Sequence, residues 1–536
     1  MPAPSRSAVR KPLVPMAATS KIASRSGTVM LTESRTTSLR RSETSGVVFT
    51  GLSLRSGKKN PTPSRRRRSG EVLHSRTVRC PLMLRLYDTA LSTVTPLETR
   101  EAGKVSMYVC GPTVYGPPHL GHGRFSLVFD ILRRYLIWSG NKVSYVSNIT
   151  DIDDKILQRA AQEGRDWTEV AQEYEQVWYS AMDALGVLRP DHDPHATQYV
   201  EQMVQLIADL IEQDAAYVTP DGVYLSVDRV PGYGLLARQS LDEMLTGGGD
   251  RVILGEGNKH HPADFVLWKF AKPNEPAWPS PWGSGRPGWH TECVVMSLDL
   301  LGDGFDLHGG GMDLAFPHHE NERAQAVAIG RPFAGHWMHN GFVEVGGEKM
   351  SKSLNNFTTL VDLIASHDPR AYRLVVLGSH YRSPVEVTDS TIAAAENALD
   401  RLDSLARRVA EVAPAEPEPA AIAAFQQQMD NDLDTPATYA QIFGLVTEIN
   451  RALDAGDEQG SAGPLVAAWR QILGAVGLEV FGQAQQAPAE ILALASQRDE
   501  ARAAKEWALA DALRDEIHAA GWVAEDSPTG TQVRQA

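Results

Sequence analysis

The fold is decided by residues 104–136, which read KVSMYVCGPTVYGPPHLGHGRFSLVFDILRRYL. Val105, Met107 and Val109 alternate with more polar residues, and this period of two predicts a strand. After a Gly-Pro turn, apolar residues recur at helical spacing; they are Phe125, Val128, Phe129, Leu132 and Leu136. The string HLGH, from His119 to His122, therefore lies at a strand-to-helix corner, where free N–H groups and the helix dipole favour phosphate.

A second short string, KMSKS, begins far downstream at Lys349. Its two lysines, Lys349 and Lys352, form a flexible cationic clamp that suits a polyphosphate. Either string alone is a weak signal, because short strings of His or Lys occur by chance and surface lysines are usually solvated charges. In this order and at this separation, the pair resembles the ATP-handling signatures of class I aminoacyl-tRNA synthetases.

Length and composition limit the possible classes of protein. At 536 residues and 58.5 kDa, the chain is long enough for two to four domains. It contains no run of about 18 apolar residues, so we expect no membrane-spanning segment. Its three cysteines are too few for a disulfide scaffold and fit a reducing compartment. The net charge of −14 argues weakly against broad nucleic-acid affinity, but it is compatible with a local basic surface.

Residues 1–82 differ from the remainder in composition. Residues 1–80 contain 17 Lys and Arg against 3 Asp and Glu, and they lack periodic apolar positions. Such a segment cannot bury enough apolar surface to offset the conformational entropy that it would lose on folding. Three interpretations stay open: an upstream extension before a true start at Met83, an organellar transit peptide, or a basic RNA-binding tail. We favour the start at Met83, where foldable sequence begins abruptly. Peptides from residues 20–75 in the natural protein would contradict it.

The remaining chain predicts an α/β domain followed by helices. From about 100 to 380, apolar β-like runs alternate with amphipathic helices, which is typical of a parallel sheet; the runs include 143–146, 223–227 and 305–308. Residues 227–290, rich in Gly, Pro and Trp, predict a loop-rich insertion. After Pro384 the strand pattern ends.

Beyond Pro384, Ala/Leu-rich segments predict helices over 388–412 and 420–476. A further helix pair is expected to end near Gly521, and the tail to Ala536 predicts a small hairpin. The predicted domains are 83–383, 384–480 and 485–536.

A further signal is a set of potential metal ligands. Cys110 ends the first strand, Cys293 lies in GWHTEC, and His318 and Glu322 lie four positions apart in PHHENE, on one side if that segment is helical. Two thiolates, an imidazole and a carboxylate are a suitable zinc donor set. Because there is no CxxC pair, the alternative that both cysteines are ordinary buried thiols stays open.

Six longer segments resemble the signature of the cysteinyl-tRNA synthetase family, in the family's order. They are MYVCGPTVY (107–115), PHLGHGR (118–124), NITDIDD (148–154), GWHTEC (288–293), HGGGMD (308–313) and FPHHENE (316–322). The resemblance implies a Rossmann-like class I catalytic domain with a parallel sheet and an insertion, then an α-helical anticodon-binding bundle and a small C-terminal module. It also implies ATP-dependent activation of L-cysteine and its transfer to tRNA(Cys).

The resemblance assigns expected roles to single residues. It implies one zinc ion held by Cys110, Cys293, His318 and Glu322, and Mg²⁺ accompanying ATP. The expected cysteine pocket contains Thr150, Trp289 and His308. Expected ATP-binding residues are Gly309, Gly310, Gly311, Asp313 and Lys352, although three glycines alone would indicate a flexible turn. The expected catalytic residues are His119, His122, Lys349 and Lys352.

Further implications concern the loop after KMSKS and the helical region. The family usually has Gly after KMSKSL, whereas this chain has Asn355-Asn356; Asn tolerates left-handed backbone angles, so we expect the loop to be retained. The segment MDNDLDTP (429–436) resembles part of the anticodon-binding bundle. Without the family, these helices would indicate only a generic interaction bundle. Asp526 and Arg534 are candidate anticodon contacts.

Two other functions compete with tRNA charging. A related ligase could pass cysteine to the amine of a small amino-sugar, as mycothiol-pathway ligases do, but such relatives are shorter and lack the terminal module. A zinc-containing binding or redox-sensing protein would not need HLGH and KMSKS together. We expect a monomeric, cytoplasmic enzyme with no membrane partner, or an organellar one if the leader is a transit peptide.

Overall fold

The computed structural model describes residues 84–239, 258–345, 348–349, 359–456, 461–482, 487–520, 522–527 and 530–535. The predictions for the leader, Lys352 and Asn355 lie outside these ranges. For Lys349, Asp526 and Arg534 only the backbone is described.

The motif-bearing segment builds a parallel sheet. The first elements are the hairpin strands β1 (Arg85–Asp88) and β2 (Thr93–Pro96), then β3 (Lys104–Val109), α1 (Leu120–Trp138) and β4 (Lys142–Val146). Strands β3 and β4 pair in parallel, so the predicted strand, turn and helix are confirmed. Every residue of β3 after Lys104 is buried, as expected of a parallel strand that is covered on both faces.

Three helices and an antiparallel sheet follow. They are α2 (Asp154–Glu163), α3 (Trp167–Ala184), α4 (Val200–Glu212), β5 (Ala216–Val218), β6 (Gly222–Leu225), β7 (Phe265–Phe270) and β8 (Gly285–Pro287). The prediction that 223–227 continues the parallel pattern is wrong, because β6 pairs antiparallel with β5 and β7. A short turn joins β5 to β6, whereas a parallel pair needs a crossover of about a dozen residues or more. This sheet begins at Ala216, before the predicted insertion boundary.

The chain then returns to the parallel sheet through α5 (Trp289–Leu301), β9 (Leu307–Gly311), α6 (Glu320–Ala328) and β10 (Trp337–Asn340). The strand order is β10-β9-β3-β4. The strand predicted over 305–308 begins at Leu307 and continues to Gly311.

A small mixed sheet follows the parallel sheet and precedes the C-terminal helices. It comprises β11 (Val343–Val345), β12 (Glu348–Lys349) and β13 (Val385–Glu386), with α7 (Leu360–Ser366) and α8 (Pro369–Leu377) between β12 and β13. Strand β11 pairs antiparallel with β12 and parallel with β13. The prediction that the strand pattern ends at Pro384 therefore missed β13, because two residues are too few to show a period.

The C-terminal part is helical, as predicted. Its helices are α9 (Asp389–Arg408), α10 (Pro419–Asp430), α11 (Thr435–Asp454), α12 (Ala462–Ala475), α13 (Ala489–Ala503) and α14 (Trp507–Ala519). The predicted terminal hairpin is formed by β14 (Trp522–Ser527) and β15 (Gly530–Gln535). One hydrophobic core connects Leu132 of α1 with Leu402, Phe425 and Trp469 of the bundle. None of the described helices is both long and apolar enough to cross a bilayer.

Candidate active site and metal centre

Four potential metal ligands converge where β3, α5 and α6 meet. Cys110 directly follows β3, and its backbone N–H donates to the carbonyl of Gly309 on β9 at 3.2 Å. Cys293 lies on α5, His318 in the irregular turn before α6, and Glu322 in the first turn of α6. All four side chains are buried. The tertiary structure thus brings together all four ligands expected from the sequence.

The donor atoms of these residues are spaced as a tetrahedral zinc site requires. The two Sγ atoms are 3.6 Å apart, and Cys293 Sγ lies 3.6 Å from His318 Nε2. Glu322 Oε1 lies 3.5 Å from Cys110 Sγ and 3.0 Å from His318 Nε2. Two sulfur ligands with Zn–S bonds of about 2.3 Å lie about 3.8 Å apart at tetrahedral angles. The side chains present therefore fit a zinc ion.

The charges of these groups also favour a cation. Burial raises the pKa of the Cys293 thiol, but the hydrogen bond with Cys110 and the proximity of His318 lower it to about 6. Burial likewise raises the pKa of Glu322, but His318 and His308 outweigh burial and hold it well below its usual value. Burial raises the pKa of the Cys110 thiol well above its usual value, and Glu322 and Cys293 outweigh burial to raise the pKa of His318 to about 10. The buried thiolate and carboxylate are therefore balanced by a proton on His318, and a metal ion bound to these groups would replace that proton.

A second layer of side chains orients Glu322. His308, on β9, is fully buried, and its Nε2 lies 2.7 Å from Glu322 Oε2, the oxygen that does not face Cys110. The His308 ring stacks on Trp337 with the centroids 4.7 Å apart. Outer partners of this kind fix the orientation of a metal ligand. The structure thus places His308 against Glu322, and its contact with cysteine stays a prediction.

Thr150 is linked to the cluster through Asn148, whose Oδ1 lies 3.8 Å from Cys293 Sγ, and Trp289 is linked to it by ring stacking. Thr150 Oγ1 donates to Glu292 Oε2 at 2.7 Å and accepts from Asn148 Nδ2 at 3.2 Å. Trp289 stacks on the His318 ring with the centroids 3.9 Å apart and is 36% exposed. Part of the Trp289 side chain is therefore accessible to solvent, and the contacts of Thr150 and Trp289 with cysteine stay predictions.

The two histidines of HLGH begin α1. The backbone N–H of His122 donates to His119 Nδ1 at 3.3 Å, and the backbone N–H of His119 donates to His122 Nδ1 at 3.2 Å. The two rings stack with the centroids 3.6 Å apart. Both imidazoles therefore lie at the positive end of the helix dipole, which is the arrangement expected for an anion site.

Residues that follow the KMSKS segment, beginning at Thr359, contact this helix terminus. Thr359 forms a β-bridge with His119, and the Leu360 N–H donates to the carbonyl of Pro118 at 2.8 Å. On the upstream side, Lys349 lies in β12 opposite Glu344 of β11. Residues 350–358 lie outside the described ranges.

The three glycines of HGGGMD are the last three residues of strand β9. A Cβ at Gly309 would lie 2.3 Å from the Phe129 ring of α1, and a Cβ at Gly310 would lie 2.8 Å from the His319 ring. Glycine at these positions therefore allows α1 and His319 to pack directly on the strand. Asp313 follows the strand, and its contact with ATP stays a prediction.

Three family models match most of the described chain. "tRNA synthetases class I (C) catalytic domain" matches residues 96–397, more than half of the chain. "DALR domain" matches 424–481, and "Cysteinyl-tRNA ligase anticodon binding domain" matches 484–534. The chain belongs to the cysteinyl-tRNA ligase family. It is therefore a class I aminoacyl-tRNA synthetase with helical C-terminal domains, as the resemblance implied.

Individual relatives agree with this family. A protein of Halorhodospira halophila named "Cysteine--tRNA ligase" is 47% identical over 464 residues, which cover 84% of this chain and 100% of the relative. The protein of that name from Alkalilimnicola ehrlichii is 44% identical over 465 residues, with the same two coverages. Among solved structures, Mycobacterium tuberculosis methionyl-tRNA synthetase in complex with methionyl-adenylate has a TM-score of 0.52 at 16% identity, covering 70% of this chain and 88% of that one. This last likeness shows the fold alone.

Some site residues of this cysteinyl-tRNA ligase were missed by sequence reasoning. His319 forms a second group of potential ligands with Cys110, His308 and Glu322. Asn148 and Glu292 hold Thr150. All three missed residues lie inside the quoted motifs, but a motif does not specify which side chains touch each other.

Proposed function

We propose that this cysteinyl-tRNA ligase selects its amino acid through a zinc ion held by Cys110, Cys293, His318 and Glu322. The observation that carries the proposal is the convergence of four buried donor atoms within 4.8 Å of one another. When bound, zinc lowers the pKa of a thiol and binds the resulting thiolate in preference to a neutral alcohol.

The selectivity problem explains why a metal is useful. Serine differs from cysteine by one atom and is slightly smaller, and apolar packing rarely gives more than about 10²-fold discrimination for such a change. Four protein ligands normally mark a closed site. Of these four, Glu322 would be the weakest zinc ligand, because a carboxylate oxygen is a harder donor than a thiolate or an imidazole; its other oxygen already contacts His308.

We further propose that the two ATP motifs stabilise the transition state of cysteinyl-adenylate formation. His119 and His122 stabilise the α-phosphate as pyrophosphate leaves, and Lys349 and Lys352 hold the β- and γ-phosphates together with Mg²⁺. The strand 309–311 and Asp313 bind the adenylate. The substrate carboxylate is itself the nucleophile, so positioning and electrostatics are needed more than a general base.

Transfer of cysteine to tRNA(Cys) is supported by the anticodon-binding domain that matches residues 484–534. An amino-sugar ligase needs no such domain, and a binding or redox-sensing protein leaves both ATP motifs without a role. Anticodon contacts by Asp526 and Arg534, the monomeric state and the cytoplasmic location remain predictions.

A charging assay with labelled cysteine and serine tests this function. We expect about one zinc ion per chain, pyrophosphate exchange with cysteine, and charging of tRNA(Cys) that favours cysteine over serine by about 10⁴-fold or more, since selection by a specific polar contact reaches 10⁴–10⁵. Exchange without charging would favour the amino-sugar ligase. Comparable charging by serine, or full discrimination after chelation of zinc, would contradict selection by the metal.

A further inference from the structure

Arg124 lies two positions after HLGH and is a buried arginine with backbone partners. Its side chain is 1% exposed. Nη1 donates to the carbonyl of Phe342 at 2.6 Å, and Nη2 donates to the carbonyls of His380 and Tyr381, each at 3.3 Å, and of Ser383. No carboxylate among the described residues forms an ion pair with it. A buried guanidinium is costly unless its donors are paired. The carbonyls pair Nη1 and Nη2, whereas Nε is buried without a hydrogen-bond partner among the described residues, so the side chain depends on these carbonyls for its hydrogen bonds.

The carbonyls that Arg124 holds belong to the base of the strands around Lys349. Phe342 immediately precedes β11, which pairs with β12 and hence with Lys349. Segment 380–383 leads into β13, and the Val385 N–H donates to the same Phe342 carbonyl at 3.0 Å. The residues that lead into β11 and into β13 are therefore both hydrogen-bonded to one side chain of α1, that of Arg124.

Gly341 shows how closely these two segments approach each other. A Cβ at this position would lie 2.6 Å from the Ser383 carbonyl oxygen and 2.7 Å from that of Arg382. The Gly341 N–H donates to the Tyr381 carbonyl at 2.7 Å. There is no space for a side chain at Gly341. The base of the β11–β12 hairpin, which is formed by Gly341 and Phe342, therefore has a single position relative to segment 380–383.

We propose that Arg124 is a positioning residue for adenylation. It fixes the base of the β11–β12 hairpin on the helix that begins with His119 and His122, and so sets where Lys349 lies relative to those histidines. The inference rests on the phosphate roles proposed above for these residues. Arg124 forms no described hydrogen bond with β3, α5 or α6, which carry the four metal ligands, so its effect is specific to ATP.

Kinetics of the full-length chain test the proposal. In Arg124→Met, we expect kcat/KM for ATP in pyrophosphate exchange to fall about 10- to 100-fold, because a misplacement of about 1 Å can cost 10²-fold. The KM for cysteine and the zinc content should stay within about twofold of the wild type, a split that general destabilisation would not produce. Arg124→Lys should recover part of the ATP kinetics, because an ammonium group donates up to three hydrogen bonds.

Arg133→Met is the matched control. Arg133 is buried on the same helix, but it donates to the carbonyl of Arg189 at 2.6 Å and to Asp191 at 2.9 Å, away from the hairpin base. It should keep the ATP kinetics of the wild type. If Arg124→Met does not fold, Gly341→Ala provides a second test, because it displaces the hairpin base while Arg124 stays in place. It should show the same ATP-specific loss.

Three results would overturn the inference: unchanged ATP kinetics in Arg124→Met or Gly341→Ala, equal losses for ATP and cysteine, or the same loss in Arg133→Met. His122→Ala and Lys349→Ala separate the inference from the function on which it rests. If these two variants keep wild-type ATP kinetics, the proposed phosphate roles fail and the inference fails with them. If they lose activity and Arg124→Met does not, the inference alone fails.

Discussion

In Cys293→Ser, zinc content is expected to fall to background and cysteine-dependent pyrophosphate exchange to be lost. Cys293 Sγ contacts both Cys110 Sγ and His318 Nε2. The change therefore removes one of the four expected donor atoms, the one that lies next to two of the others. A serine hydroxyl stays protonated at neutral pH and is a poor zinc ligand. Because changes in the outer shell alone cost about 10- to 100-fold in metal affinity or activity, we expect the loss here to exceed about 100-fold. Metal analysis and exchange kinetics measure it.

The control for this prediction is Ser297→Ala, a change at a buried residue of the same helix outside the expected ligand set, whose hydroxyl donates to the backbone carbonyl of Val294 at 3.1 Å. It should keep zinc and activity. Thermal unfolding of Cys293→Ser should resemble that of the chelated wild type, which separates loss of metal from a general folding defect. Full zinc content, or undiminished exchange, would refute the role of Cys293 as a ligand.

The variant Asp130→Asn is expected to destabilise the chain by about 3–5 kcal/mol, the usual cost of breaking a buried ion pair on one side. Asp130 Oδ2 lies 2.6 Å from Arg373 Nη1, and their side chains are 1% and 2% exposed. Arg373 also donates to the carbonyls of Leu185, Gly186 and Val476. The asparagine would retain the shape but leave the Arg373 charge buried without a carboxylate. Denaturant unfolding measures the change.

Asp303→Asn is the comparison for this stability measurement. Asp303 forms an exposed ion pair with Arg331, with side chains 44% and 42% exposed, and such pairs contribute at most about 1 kcal/mol. If Asp130→Asn lowers the free energy of unfolding no more than Asp303→Asn does, the buried Asp130–Arg373 pair does not stabilise the fold more than an exposed pair.

The local elements around the site could be predicted because they are encoded within single segments. The alternation in β3 and the helical spacing in α1 are both present in residues 104–136, and the backbone confirms both. The four metal ligands were also expected, but through the motif resemblance. Spacing alone did not distinguish Cys110 and Cys293 from ordinary buried thiols, because the chain has no CxxC pair.

Contacts between distant segments could not be predicted in this way. The apolar pattern of β6 is the same whether its neighbours are parallel or antiparallel, so the choice was made by the turn to β5 and by pairing with β7. The contact of His308 with Glu322 joins a residue of β9 to a residue of α6 and depends on how the tertiary structure brings these two elements together. Neither relation leaves a periodic signal in the sequence.

The sequence by itself determined the strand-to-helix corner at HLGH and the residue types that suit ATP and zinc, because local periodicity and side-chain chemistry suffice for these. Only the tertiary structure decided which groups meet. It brought two sulfurs, an imidazole and a carboxylate into one buried cluster, and it placed Arg124 against the carbonyls of Phe342 and Ser383. The physical reason is that packing and buried hydrogen bonds join residues more than 200 positions apart, a distance at which no local pattern carries information.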